Sequence, residues 1–226
     1  MRNLAIIPAR SGSKGLKDKN IKDLCGKPLL AYSIDCALKS HKFDKVFVST
    51  DSAEYAQIAG KYGADASFLR TKENANDTAG SWDVVREVVE RFERQNEFYD
   101  NIMLLQPTSP LRDAEDINSS FRLMEEKDAN AILSVTEAEH SPLWCNILGE
   151  DLCMDQFVDE KYLGVPRQML PTYYRLNGAI YLITRQELEK KQMFRNKCYA
   201  YIMPSERSVD IDTELDFKVA EYFLKR

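Results

Sequence analysis

The chain has 226 residues, is 44% hydrophobic and carries a formal charge of −5, enough length to bury a proper core and the wrong balance for a general nucleic-acid binder. The charge is uneven: residues 1–45 hold ten Lys or Arg against four Asp, so that segment is +6 and the remainder −11. A local positive field in an acidic chain suits a small anionic ligand better than a polyanion. The five cysteines, Cys25, Cys36, Cys145, Cys153 and Cys198, are odd in number and form no C-x-x-C pair. They read as reduced thiols of a cytoplasmic protein. No apolar run approaches the ~20 residues of a membrane helix, and apolar residues stop at Pro8, so no secretory leader is expected. Neither a membrane nor a nucleic acid is expected as partner.

In chain order, LAIIPA (4–9) predicts a buried strand, and the loop after it carries Arg10, Lys14, Lys17 and Lys19, broken by Gly12 and Gly15. PLLAYSIDCALKS (28–40) predicts a helix, KVFVST (45–50) a strand, and AEYAQIAGKYG (53–63) a helix with Gly63 as its left-handed terminator. Thr50-Asp51-Ser52 and Asp113 offer N-terminal caps. A helix over 81–95, a strand over 101–107, a helix over 116–127 and a strand at 131–135 follow. Residues 138–178 are irregular, aromatic and proline-rich, as expected of an inserted hairpin, a lid or a subunit contact. Strands at 179–184 and 199–203 and an amphipathic helix over 214–226 close the chain. The alternation predicts an α/β fold, a mostly parallel sheet with helices on both faces, as one domain over 1–226 with 138–178 protruding. Ligands then gather beyond the carboxyl ends of the strands, where the loop at 9–20, Ser49-Thr50-Asp51 and Gln106-Pro107-Thr108 would meet.

The loop is neither a Walker phosphate loop nor a G-x-G-x-x-G turn. It still has the ingredients of a phosphate cradle: glycines that expose backbone N–H groups, hydroxyls at Ser11 and Ser13, and charge from Arg10, Lys14 and Lys19. A solvated basic turn is the plainer reading. Near the other end, SVDIDTELD sets Asp210 and Asp212 one residue apart. In extended chain both carboxylates point to one side, an arrangement that suits Mg²⁺. The same residues could simply begin the last helix, with Asp212 or Thr213 as cap; both readings can hold. LLQPTSPLR (104–112) rigidifies a strand exit around Gln106, Thr108, Ser109 and Arg112. PRQMLPTYYRLNGAIY (166–181) offers Arg167, Arg175, Tyr173 and Tyr174 for a carboxylate or an interface. His41 and His140 read as structural or surface residues.

Six stretches in order, IIPARSGSKGLKDKN, VSTD (48–51), NDTAGS (76–81), LLQPTSPLR, PRQMLPTYYRLNGAIY and VDIDTELD (209–216), resemble those of the CMP-sialic acid synthetases (acylneuraminate cytidylyltransferases) across nearly the whole chain. The resemblance implies transfer of CMP from CTP to the anomeric hydroxyl of a nine-carbon 2-keto sugar acid, with release of pyrophosphate. It implies Arg10, Ser13, Lys14, Lys19 and Asn20 at the triphosphate and ribose, and Arg70, Ala79 and Ser81 at cytosine and ribose. It implies Gln106, Arg167, Tyr173 and Tyr174 at the sugar, Tyr173 and Tyr174 across a homodimer formed by 138–178. Asp210 and Asp212 would hold Mg²⁺, with Lys19, Arg10 and Asp212 catalytic. The acceptor (N-acetylneuraminate, legionaminate or a relative) stays open, as does CTP against GTP. A metal-dependent glycosyltransferase is the competing enzyme, but it places its acidic pair mid-chain. A CTP-binding regulatory protein is the non-enzymatic alternative.

Overall fold

The computed structural model describes residues 1–12, 15–75 and 80–226. Apolar residues at every second position decide its layers, because side chains alternate across a strand. In β1 (Asn3–Pro8), Leu4 and Ile6 join Phe47, Ile102 and Leu104 on one face of the sheet, while Ala5 and Ile7 join Val46, Val48 and Met103 on the other. After the basic loop comes a small hairpin, β2 (Asp23–Leu24) and β3 (Lys27–Pro28), turned by Cys25 and Gly26 at positive φ. Then follow α1 (Leu29–Ser40), β4 (Lys45–Ser49), α2 (Ala53–Lys61), α3 (Ser81–Arg94), β5 (Asn101–Leu104), α4 (Ala114–Lys127), β6 (Ala131–Glu137), β7 (Tyr174–Thr184), α5 (Arg185–Leu188), β8 (Cys198–Ile202) and α6 (Glu214–Leu224).

The six-stranded sheet has the order β4-β1-β5-β7-β6-β8. All its strands run one way except β7, which is antiparallel to both neighbours. The mostly parallel sheet expected from the sequence is therefore present. Helices α1, α2 and α4 cover one face through Leu30, Ile34, Tyr55, Ala59, Ile117 and Phe121. Helix α3 covers the other through Val85, Val88, Val89 and Phe92. A third, smaller core unites Leu24 and Leu29 with Ile211, Phe217 and Ala220, and so fastens α6 to the β2–β3 hairpin.

The expected caps form. Ser52 accepts from the Tyr55 N–H, and Asp113 closes a capping box with Asp116. Thr213 and Asp216 do the same for α6. Gly63 stands at φ +90°; His41, at φ 54°, ends α1 in the left-handed conformation. The sequence reading starts the strand before Thr184 at residue 179, but it begins at Tyr174, because Arg175, Asn177 and Gly178 break the apolar pattern there. The register shows why: Leu133 faces Tyr181, yet Val135 faces Leu176, so β7 advances five residues while β6 advances two. That bulge contains Gly178 at φ +76°. Between β6 and β7 the chain forms only short 3-10 turns, at Pro142–Trp144, Glu160–Tyr162 and Arg167–Met169. Among the described residues no helix is long and apolar enough to cross a membrane.

Candidate active site

The carboxyl ends of β1, β4 and β5 open onto one rim, and the sequence lays polar residues there in place of the apolar run. From β1 the chain passes Ala9 and Arg10 into the basic loop. Its entry is clamped by Asp51, just beyond β4: the Ser11 backbone N–H and hydroxyl both donate to the Asp51 carboxylate, at 2.7 and 2.8 Å. Burial pushes the Asp51 pKa up, but the two Ser11 bonds and the Arg70 charge outweigh it and hold the carboxyl below its ordinary value. Asp51 reads from the sequence as a helix cap, a task the structure gives to Ser52. What betrays its other role is only its position, immediately after a parallel strand.

Arg70 lies against the end of β4. Its guanidinium donates to the Ser49 hydroxyl and carbonyl at 3.2 and 2.8 Å and to the Asn74 carbonyl at 3.3 Å. Burial holds this guanidinium below its ordinary value; Asp51 and Glu87 oppose the shift and the nearby Arg10 charge adds to it. Arg10 and Arg70 thus present a cationic pair on the rim. Glu87, which no sequence signal singles out, anchors the neighbouring segment by accepting from the Thr71 N–H and hydroxyl and from Asn74 Nδ2, at 2.9, 3.0 and 2.6 Å. Ser81 is the exposed first residue of α3. Ser13, Lys14 and Ala79 lie outside the described residues.

On the opposite side of the loop, Asp18 in left-handed conformation turns the chain into a 3-10 turn over Lys19–Ile21. Lys19 and Asn20 are both buried. Asn20 Nδ2 donates to the Arg10 carbonyl at 2.9 Å and so closes the loop upon itself. Lys19 Nζ reaches across to the far end of the sequence, donating to the Ile211 carbonyl at 2.5 Å and meeting Asp212 Oδ1 at 3.1 Å. A parallel pair, Lys22 to Glu214 at 2.6 Å, reinforces the docking. A Cβ on Gly15 would come within 2.9 Å of the Asp212 carbonyl oxygen, so the loop packs directly on the acidic turn.

Ile211 is fully buried in the third core, and its two acidic neighbours lie close enough for the Asp212 charge to act on Asp210. Asp212 is exposed and Asp210 half-buried. Burial pushes the Asp210 carboxyl up, the Asp212 charge adds to this, and the Thr108 hydroxyl with the Lys19 and Arg175 charges counters it. Asp210 Oδ1 is buried with no hydrogen-bond partner among the described residues. An unmatched buried oxygen beside a second carboxylate is a fitting place for a hard cation. Among the described residues no third His, Cys, Asp or Glu completes a metal cluster.

The floor of this corner is the β7 bulge. A Cβ on Gly178 would fall 2.4 Å from Gln106 Oε1 and 3.7 Å from Asp210 Oδ2, so Gly178, Gln106 and Asp210 are immediate neighbours. Buried hydrogen bonds fix the bulge: Ser134 Oγ donates to Asn177 Oδ1 at 2.6 Å, Asn177 Nδ2 donates to Ser208 Oγ at 2.9 Å, and the Ile180 N–H donates to Ser134 Oγ at 2.7 Å. Arg112 is buried beneath the turn, donating to the Ala179 carbonyl at 2.6 Å and to Ser33 Oγ at 2.6 Å. Its guanidinium secures the strand exit that carries Gln106.

Arg167 lines two adjoining grooves, one with Tyr174 and one with Tyr173. Arg167 and Tyr174 line a groove of about 560 Å³ with Glu137 and Glu139; Arg167 and Tyr173 line an adjoining one of about 340 Å³. Gln106 and Asp210 line neither. Large apolar side chains around these grooves and in the preceding loop are exposed, among them Ile147, Leu152, Leu163, Met169 and Leu176.

The chain is thus an α/β protein whose sheet rim joins a glycine-bearing basic loop to an acidic pair. Residues 4–161 match the cytidylyltransferase family model, and the chain belongs to that family. It is 40% identical over 219 residues to an N-acylneuraminate cytidylyltransferase of Escherichia coli, covering 96% of this chain and 51% of that protein. It is 34% identical over 229 residues to the CMP-N,N'-diacetyllegionaminic acid synthase of Legionella pneumophila, covering 100% of this chain and 97% of that one. The chain thus spans about half the length of the first of these relatives and nearly all of the second. Among solved structures, CMP-2-keto-3-deoxy-manno-octonic acid synthetase complexed with CTP superposes with a TM-score of 0.74 at 17% identity, covering 100% of this chain and 99% of that one. That likeness speaks to the fold.

Proposed function

We propose that this protein transfers CMP from CTP to the anomeric hydroxyl of a nine-carbon 2-keto sugar acid, releasing pyrophosphate. The observation that carries this reading is the contact of Lys19 with the Ile211 carbonyl and Asp212, which brings the basic loop and the acidic pair to one point beside Gln106. The names of the two relatives fit the same chemistry. In this reading Arg10 and the loop N–H groups receive the triphosphate, and Asn20 holds the loop closed. Arg70 and Ser81 lie on the side assigned to cytosine and ribose. The matched residues toward Mg²⁺ are Asp210 and Asp212; when bound, that ion would neutralise charge on the phosphates. Lys19, preorganised in a buried position, stabilises charge that develops as the α-phosphorus is attacked. Gln106 orients the acceptor so that its hydroxyl faces the phosphorus.

That Arg167, Tyr173 and Tyr174 line grooves which Gln106 does not, together with the exposed apolar residues of 138–178, supports a homodimer in which these side chains reach the partner's acceptor. Five free thiols support a cytoplasmic setting. Pyrophosphate release with CTP or GTP, each offered N-acetylneuraminate, legionaminate and 3-deoxy-octulosonate, tests the proposal. Turnover with CTP and one nine-carbon acid names the acceptor. CTP binding without pyrophosphate from any acid would instead favour a regulatory binding protein.

A further inference from the structure

The ammonium of Lys19 meets one carboxylate of the acidic pair, Asp212, and its charge acts on the other, Asp210. The Lys19 side chain is only 11% exposed and approaches Asp212 from the protein interior, whereas the Asp212 side chain is 76% exposed. The Ile211 carbonyl fixes one donor of that ammonium at 2.5 Å, and the backbone of Asp212 is held from above by Gly15, beside which a Cβ would not fit. Lys19 meets Asp212 directly, and the Lys19 and Arg175 charges both act on Asp210. Asp210 keeps a buried oxygen unpartnered among the described residues, so the pair is asymmetric.

Resting on the metal-site reading above, we propose that Lys19 is the internal counter-ion of Asp212 in the ligand-free protein, and that it keeps divalent cations off the acidic pair until a triphosphate draws it away. An ammonium has three donors. Lys19 can therefore keep the Ile211 carbonyl as a pivot and exchange the Asp212 oxygen for a phosphate oxygen delivered by the adjoining loop. That exchange releases the Asp212 carboxylate, at the moment when phosphate oxygens arrive to complete a cation's coordination. Metal loading is thereby coupled to nucleotide binding, and by linkage the coupling is reciprocal.

The test uses Mn²⁺ as probe with the full chain. Free Mn²⁺ is read by electron paramagnetic resonance without nucleotide, for wild type and for Lys19→Gln, which removes the charge but keeps an N–H donor for the Ile211 carbonyl. Lys19→Gln is expected to bind Mn²⁺ about tenfold tighter than wild type, a difference worth 1.4 kcal/mol, and adding Asp212→Asn is expected to erase the gain. Equal or weaker binding by Lys19→Gln overturns the proposal. Water-proton relaxation, which separates protein-bound Mn²⁺ from Mn²⁺ on free nucleotide, supplies a wild-type arm should the variant fail to fold. The protein-bound fraction is expected to rise at least tenfold in affinity when CTP is present, and an unchanged affinity overturns the proposal while leaving the metal site in place. Absence of protein-bound Mn²⁺ with CTP present would instead remove the metal-site reading itself.

Discussion

Lys19 shows how much one side chain can be asked to do, and how its neighbours set the test. It is buried, aimed at the acidic turn and preorganised, so its value should appear in the transition state more than in the ground state. Lys19→Ala is expected to lower kcat by roughly 10²–10³ with a smaller change in the KM for CTP; steady-state kinetics check this, and a loss confined to KM would remove Lys19 from the chemical step. Asp51 supplies a prediction in stability. Its carboxyl titrates below the ordinary value because Ser11 donates to it twice, so near that range the unfolded chain binds more protons than the folded one. The stabilisation is therefore complete above the ordinary carboxylate pKa and disappears as pH falls through the lowered one. Asp51→Ala is expected to cost about 1.5 kcal/mol near pH 7, the low end for bonds to a partly solvated charge. Thermal melts against pH should show the two proteins converging in acid, and a gap constant with pH would deny the Ser11 clamp its electrostatic origin. Lys19, Asp210 and Asp212 could be picked out of the sequence because their charges sit in recognisable strings. Asp51 and Glu87 could not be assigned their partners, since those lie 40 and 13–16 residues away and no local pattern reports them.

At the scale of elements, the strands and helices with a clean period were legible, and so were the caps Ser52, Asp113 and Thr213, because short polar side chains before an apolar helical stripe have few other uses. The start of β7 was not. Its first half is exposed and its bulge breaks alternation, so the residues that shape the floor of the site are the ones that hide the strand. The bulge depends on Asn177, which is buried and joined to Ser134, Ser208 and the Ala179 N–H. Asn177→Ala removes the acceptor of the Ala179 N–H and one partner each of Ser134 and Ser208, which keep Ile180 and the Pro204 carbonyl, at about 1–3 kcal/mol for a group left unsatisfied. The expected result is a Tm lower by at least about 2–4 °C and a reduced kcat/KM through displacement of Gly178 from Gln106. Lost stability with unimpaired turnover in the folded fraction would show the network to be structural only.

For the whole molecule, charge and surface carry the remaining expectations. The +6 of residues 1–45 is an asymmetry that composition alone announced; Arg10 and Lys19 carry part of it to the rim, whereas Arg2, Lys42 and Lys45 stand at the amino ends of β1 and β4. The irregular segment after β6 announced itself by its prolines and aromatics, though not by a shape. Its Ile147, Leu152, Leu163 and Met169 are all large apolar side chains left exposed, the residue type from which interaction surfaces are built. If copies pair there, Met169→Asp should shift the light-scattering mass toward a monomer and lower kcat/KM for the sugar acid more than CTP affinity. An unchanged mass in a chain that is dimeric would place the interface elsewhere.

The bond between Lys19 and Asp212 also joins residues 193 positions apart, almost the full length of the chain. Contacts of such separation are slow to form, because closure entropy must be met before the contact rewards it. The sheet and its two large cores can be complete while the acidic turn is still undocked, since Ile211 belongs to the small third core that arrives with α6. In refolding, far-ultraviolet ellipticity should therefore recover ahead of divalent-cation binding in the presence of CTP. Cation binding is, on the proposed reading, a proofreading signal for the finished chain: a molecule whose last helix has not seated has the architecture of the family without the docked acidic turn.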